Sequence, residues 1–258
     1  MAKDNIPFHT ISFPATIFGA EENWKLVDFI KGFNWLLYEG GKFSTSENRG
    51  IFMDKALDIY PADYWRWWLL SNAPESSDTD FTWASFQSTT NKDLADVLGN
   101  FISRVSSFSV SKFGQQIPKK GKYGQLEIET IKKIDLHYKC LKDLMKSIEI
   151  RKSCSELRMI WVIGNEYLQR AAPWSAFKET PERSQMIIRF ALNLIYFYSL
   201  ISEPFIPESC EKIQKHFQFN KMKTLPQNLD SFVDALNDTH EISKPSIFFQ
   251  KISDEEVF

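Results

Sequence analysis

This sequence has little from which to build a disulfide framework, a membrane span or a strongly charged surface. Its three cysteines, Cys140, Cys154 and Cys210, are odd in number and far apart. That speaks against a paired framework and leaves no ligand spacing for a zinc site, so no metal site is expected. Reduced thiols in a cytoplasmic protein fit the pattern best. There is no run of 18 or more apolar residues, so no membrane partner is expected. The first residues, Met1-Ala2-Lys3-Asp4-Asn5, lack the apolar region of a signal peptide. Net charge is only −2, so the chain as a whole does not advertise nucleic-acid binding, and DNA is not an expected partner.

What is present is aromatic. The 258 residues include 22 Phe and 8 Trp, with 43% hydrophobic and 25% charged residues, the balance of a globular protein with large side chains packed between helices. The length suits one large domain or two modest ones. Charge is uneven: Lys112, Lys119, Lys120 and Lys122 fall in one stretch without an acid, and Lys132, Lys133, Lys139, Lys142 and Lys146 follow. A local basic face can bind phosphates even in a neutral chain; the same residues also suit solvated helix faces and a flexible loop.

Along the chain, Asn5-Ile6-Pro7 reads as a helix start, and Phe8 to Phe18 as a buried helix that Gly19 could end. Phe33 to Tyr38 reads as a strand turning at Gly40-Gly41. One or two strands and a helix cannot cover both faces of a parallel sheet, so this start resembles the remnant of a larger sheet domain. Phe52 to Tyr60 is a short amphipathic stretch, Pro61 starts an aromatic helix, and Pro74 to Asp80 is a polar connection. From about Phe86 to about Phe219 the chain reads as helices. Leu94, Val97, Leu98, Phe101, Ile102 and Val105 follow the spacing of a core-facing stripe. Leu157, Ile160, Trp161, Gly164, Tyr167 and Leu168 make a second, and Met186, Ile187, Phe190, Leu194 and Ile195 a third. The tail, with Pro226 and Pro245, looks irregular and is expected to pack back onto the helices. Trp65, Trp67, Trp68 and Trp83 are assigned to the core.

Two constellations could carry chemistry. Gly40-Gly41 makes a tight turn, after which Lys42 and the hydroxyls of Ser44, Thr45 and Ser46 could offset charge on a triphosphate during phosphoryl or adenylyl transfer. A plain β-hairpin loop fits the same residues. On the Leu94–Val105 helix, Asn100 and Arg104 are neighbours at i, i+4, pointing roughly 90–130° from the centre of the apolar stripe. An amide can read the edge of an unpaired base, and a guanidinium can stack on bases and bond phosphates. Trp174, after Pro173 at a helix boundary, is placed as a partly exposed ring able to stack on a base. An ordinary polar helix pair and a core tryptophan are the bland alternatives.

The order Lys42-Phe43-Ser44-Thr45-Ser46, Pro61-Ala62-Asp63-Tyr64-Trp65-Arg66, Asp78-Thr79-Asp80-Phe81-Thr82-Trp83, Leu98-Gly99-Asn100-Phe101 resembles methionyl-tRNA synthetase, a class I aminoacyl-tRNA synthetase. The likeness continues to Ala172-Pro173-Trp174 and to Ser246-Ile247-Phe248-Phe249-Gln250-Lys251-Ile252. It implies a mainly α fold: the remnant of a Rossmann-type α/β catalytic domain (1–38), the lysine-serine loop with its connecting, stem-contact helices (39–85), and an α-helical anticodon-binding bundle (86–258). It implies that Lys42 to Ser46 clamp ATP, supplied with Mg2+, during adenylate formation. Thr45 stands where the family's second lysine is usual, and Phe43 where methionine is. By the same resemblance Asp4 contacts the amino acid and adenylate, and His9 lines the methionine pocket. Without it, they read as an exposed terminal acid and a helix-surface histidine. Asn100, Arg104 and Trp174 would contact the anticodon of the methionine tRNA.

The family's His-Ile-Gly-His type signature does not occur in this sequence. The expectation is therefore the C-terminal portion of a methionine–tRNA ligase, with Met1 internal to the full enzyme. Its partners would be methionine tRNA, methionine, ATP and a separate N-terminal catalytic half, and alone it would be catalytically inactive. The alternative is a stand-alone or split-enzyme tRNA-binding helical module.

Overall fold

Three tryptophans within four residues decide where the core sits. In the computed structural model, which describes residues 1–254 apart from 221, 223, 244 and 245, α3 (Ala62–Ser71) buries Trp65, Trp67 and Trp68. Trp65 stacks on Phe86 at 4.3 Å, Trp68 meets Phe81 edge-on at 4.8 Å, and Trp67 lies 4.9 Å from Trp161. Each indole N–H has an acceptor, as a buried ring of this kind requires: Ala56 O at 2.8 Å, Asp93 Oδ2 at 3.2 Å and Ser85 Oγ at 3.1 Å. This one helix therefore ties a small sheet to a helical bundle.

The sheet is three-stranded, in the order β2-β1-β3. β1 (Leu36–Tyr38) pairs antiparallel with β2 (Gly41–Lys42) and parallel with β3 (Thr79–Phe81). The strand expected over 33–38 is shorter, because Asn34 N is taken by Pro74 O. The polar connection expected at 74–80 ends in β3 instead: Phe81 is buried in the aromatic cluster, and that anchor brings Thr79 and Asp80 alongside Leu36 and Leu37. Residues 53–59 form α2 (Met53–Ile59), whose one buried residue is Ala56.

The helical start also differs from expectation. A 3-10 turn (Lys3–Asn5), a π-helical turn (Phe8–Ser12) and α1 (Phe13–Gly19) form helix, without a side-chain cap. It is not buried. Phe8, Ile11, Phe13 and Phe18 are each at least 60% exposed, and only Ile17 packs inward.

The bundle runs through α4 (Trp83–Thr90), a π-helical segment (Asn91–Gly99), α5 (Asn100–Phe113), α6 (Gln125–Lys146), α7 (Ile150–Ala171), α8 (Pro173–Glu179), α9 (Pro181–Ile201) and α10 (Pro207–His216). Thr82 caps α4 by accepting from Ser85 N at 3.1 Å. The three predicted stripes face the core: Leu94, Leu98, Phe101, Ile102 and Val105 are buried, as are Leu157, Ile160, Trp161 and Tyr167 on α7 and nearly all of α9. Among the described residues α9 alone is long and apolar enough to cross a membrane, and 94% of its apolar window is buried inside the bundle. Buried Glu127 closes α6 against its neighbours, accepting from Arg183 at 2.7 and 2.9 Å, Tyr167 Oη at 2.9 Å and Gly124 N at 2.8 Å. The tail after α10 is irregular and packs back as expected, burying Leu229, Phe232, Leu236, Ile242, Phe249 and Ile252; Pro226 O accepts from Tyr138 Oη at 2.8 Å. Pro245 lies outside the described residues.

Candidate nucleic-acid interface

Asn100 and Arg104 stand on α5 where its apolar stripe turns away to pack. The π-helical segment that precedes α5 shifts the helical register by its wider turn, and Gly99 lets it approach Phe249: a Cβ there would meet Leu94 O at 3.0 Å and the Phe249 ring at 3.3 Å. Asn100 is exposed and Arg104 half-buried. Across from them α7 ends at Ala172, whose left-handed φ of 44° reverses the chain, and Pro173 opens α8 with no lost hydrogen bond. Pro173 O is held by Ser184 Oγ at 2.8 Å. This places Trp174 on the first turn of α8, 37% exposed as a residue.

The guanidinium of Arg104 lies over the Trp174 ring, 5.1 Å from its centroid. Among the described residues the Arg104 guanidinium, the Asn100 amide and the Trp174 indole N–H have no hydrogen-bond or ion-pair partner. A polar side chain held in place by packing alone keeps its donors for something else. Two grooves meet at Arg104. One, of about 470 Å³, is mostly apolar and is lined by Ser107, Phe108, Ser111, Leu168, Pro173 and Trp174. The other, of about 550 Å³, also has a mostly apolar surface, with Val97 and Val162 in its lining and Asn100, Asn165, Glu166, Gln169 and Arg170 around it. Two apolar slots bordered by amide and guanidinium groups suit unstacked bases. Gln169 and Arg170 escaped the sequence reading. The α7 stripe shows its buried side, and its polar flank at Asn165, Glu166, Gln169 and Arg170 has the same helical period.

The loop at the sheet edge is built differently. Glu39 and Gly40 form a two-residue turn with φ of 46° and 77°, the second suited to glycine, and the Gly40 N–H donates to both oxygens of Asp80 at 3.0 Å. Glu39 in turn accepts from Trp83 N at 3.0 Å, pinning the turn to α4. Ser44 and Arg49 exchange backbone hydrogen bonds, and Arg49 donates to Glu39 O at 2.9 Å. Ser44 Oγ lies 3.2 Å from Ser46 Oγ and accepts from Glu47 N. Lys42 and Thr45 are exposed, and Lys42 lines a groove of about 240 Å³ with Trp35, Leu36, Leu37 and Phe43. Asp4 and His9 are exposed on the first helical turns. Asp4, His9 and Lys42 make no hydrogen bond or ion pair with one another. The fold thus joins Asn100, Arg104 and Trp174 into one surface, and it does not join Asp4, His9 and the loop. No cluster of three or more His, Cys, Asp or Glu side chains able to hold a metal exists among the described residues.

Comparison with known proteins assigns both halves. Residues 117–258 match the family described as the anticodon binding domain of methionyl tRNA ligase, and residues 1–106 match tRNA synthetases class I (M). Asn100 and Arg104 fall in the second match and Trp174 in the first. A methionine–tRNA ligase of Paracoccus denitrificans is 53% identical over 255 residues, 99% of this chain and 44% of the relative. One from a Jannaschia species is 54% identical over 256 residues, with the same coverage. The chain spans less than half the length of these relatives. Among solved structures, Mycobacterium tuberculosis methionyl-tRNA synthetase superposes with a TM-score of 0.80 in its free state, at 20% identity, over 98% of this chain and 49% of that one. Its complex with methionyl-adenylate gives 0.83 over 96% and 48%. At that identity the superposition shows a shared fold.

Proposed function

Since the chain belongs to the methionyl-tRNA synthetase family, we propose that it is the anticodon-recognising part of a cytoplasmic methionine–tRNA ligase. The observation that carries this reading is the Arg104–Trp174 pair at 5.1 Å with Asn100 one turn away, all three with unspent polar groups. Trp174 stacks one unpaired anticodon base, Arg104 holds that ring and bonds a base or phosphate, and Asn100 reads a base edge. Under this reading residues 1–38 belong to the catalytic domain, 39–85 connect, and 86–258 bind the anticodon. No observation favours a stand-alone binding module.

In the whole enzyme the methionine carboxylate attacks the α-phosphorus of ATP and pyrophosphate leaves. A hydroxyl of the tRNA's terminal ribose then attacks the acyl carbon, and AMP leaves. Lys42 offers an ammonium and Ser44, Thr45 and Ser46 hydroxyls to the phosphates, stabilising charge as it develops on the leaving group. Mg2+ comes with the ATP phosphates and neutralises part of their charge. Thr45 brings a donor without a charge, so Lys42 is the loop's one cation next to the phosphates. Asp4 meets the methionine ammonium or the adenylate ribose, and His9 the thioether pocket; both require the portion of the enzyme that carries the rest of the nucleotide site, in cis or as a separate chain.

Titration with two tRNAs, one bearing the CAU anticodon and one with that triplet changed, tests the reading. A preference for CAU that disappears in Asn100→Ala and Trp174→Ala supports it; equal binding of both tRNAs refutes it. The 258-residue chain alone is expected to give no methionine-dependent ATP–pyrophosphate exchange.

A further inference from the structure

The lysines between Lys112 and Lys122, which the anticodon trio leaves unused, continue the same surface. Lys112 is on α5 two turns beyond Arg104, and its ammonium lies 5.5 Å from the centroid of Phe177 on α8. Phe177 is one turn beyond Trp174, so the Arg104–Trp174 pair is followed along the same two helices by a second cation–aromatic pair. Phe108 lines the groove between them, 6.2 Å from Phe177 and at right angles to it. After Gly114 the chain runs extended across the start of α9. Lys119 N donates to Gln185 at 3.2 Å, Pro118 O accepts from Arg189 at 3.0 Å, and Gly121 packs against Met186. Ile117 N is held by His240 O at 3.0 Å. The backbone under Lys119, Lys120 and Lys122 is therefore fixed against α9 and the tail.

All four side chains are exposed, and among the described residues none of their ammonium groups makes an ion pair or hydrogen bond. Lys3, Lys25, Lys31, Lys152, Lys215 and Lys251 are each matched to a carboxylate. What sets Lys112, Lys119, Lys120 and Lys122 apart from other unmatched lysines is that no acid falls between Lys112 and Lys122 in the sequence. Of the acids on the tail that packs here, Asp238 is paired with Arg189 and Asp234 accepts from Tyr123, while Glu241 lies beside Gln116 at the start of the stretch. Lys112 borders the base-sized apolar groove, and Lys119 is held to Gln185 one turn before Ile188, which lines that groove, so the four cations form a positive stretch in a chain of net charge −2.

We propose that Lys112, Lys119, Lys120 and Lys122 bind successive phosphates of the RNA strand that leaves the anticodon groove. This proposal rests on the anticodon reading. The lane holds the strand and sets affinity, while Asn100, Arg104 and Trp174 set sequence preference. Phosphate contacts release counterions, so each contributes a slope of about −0.7 in log affinity against log salt on a single strand and about −0.9 on a duplex.

The test is a salt titration of the anticodon stem-loop RNA with the whole chain and with Lys112, Lys119, Lys120 and Lys122 all changed to Ala. The side chains are exposed and unpaired, so the variant should keep the parent's circular dichroism and melting temperature. The expected result is a salt slope shallower by about 3 and affinity lower by at least about tenfold near 0.15 M salt, with the ratio of CAU to altered anticodon unchanged. Lys112→Ala alone should reduce the slope by about 1. An unchanged slope in the fourfold variant overturns the lane, even where the CAU preference stands. Loss of slope in a chain that shows no CAU preference keeps the lane as a general RNA surface and refutes the anticodon reading.

Discussion

The first 35 residues and the bundle contain the same kinds of side chain and treat them in opposite ways. Phe18 and Trp24 are more than 60% exposed, whereas Phe101, Trp161 and Phe197 are fully buried. The difference lies in what each element packs against. Every helix of the bundle has a neighbour on its apolar side, down to Trp67 against Trp161 and Tyr138 against Phe197 at 5.1 Å. The first helix meets the rest of the chain mainly through Ile17, while Lys3 N and Phe33 N hold its approach by main-chain bonds. Burial is a property of a side chain and its partner together, so composition alone does not predict it.

The sharpest way to break this contrast is to disarm the bundle from inside. Glu127→Ala leaves the Arg183 guanidinium and the Tyr167 hydroxyl without their buried acceptor, and should cost about 3–5 kcal/mol in urea unfolding. Trp161→Ala, which removes the ring facing Trp67 and its bond to Ser202, should cost a similar ~3–5 kcal/mol. Alkali should act on the same region. Burial pushes the Cys154 thiol from 9.0 up to about 12, and burial with the nearby Asp135 charge pushes Tyr138 from 10.0 to about 12. Both groups ionise first in the unfolded chain. Their contribution is therefore fully present below about pH 9 and is lost as pH rises toward 12, by at most roughly 1.4 kcal/mol per pH unit for each group. A urea midpoint that does not fall between pH 8.5 and 10.5 would contradict this.

Thiol labelling sharpens the comparison further. At pH 8 a small alkylating reagent should modify exposed Cys140 alone, with buried Cys154 and Cys210 reacting only after denaturation. The smallest effect belongs to the first helix and the segment after it: Phe18→Ser and Trp24→Ser should each move stability of this chain by less than about 0.5 kcal/mol. A loss comparable to that of Trp161→Ala would mean that the first helix is packed after all.

What was legible in the sequence divides along the same line. The stripes of α5, α7 and α9 repeat at helical spacing for three turns or more, so their buried faces could be read directly. Asn100 and Arg104 could be placed off the stripe for that reason, and Trp174 from the proline before it. β3 was not legible: its three residues follow a polar run, and only Phe81 packing among Trp65, Trp68 and Trp83 makes a strand of them. The Glu127–Arg183 pair spans 56 residues and leaves no local signal. The Phe8–Phe18 stretch was legible as helix, since its composition favours one, but not as exposed, because that depends on neighbours.

The most direct test of the central claim reads the stacking itself. An anticodon stem-loop with 2-aminopurine in place of one anticodon base at a time is bound to the wild-type chain and to Trp174→Ala. The account predicts that at one anticodon position the probe is quenched on the wild-type protein and bright on the variant, as an aromatic platform at 5.1 Å from Arg104 requires. Identical fluorescence on both proteins at all three positions would contradict it.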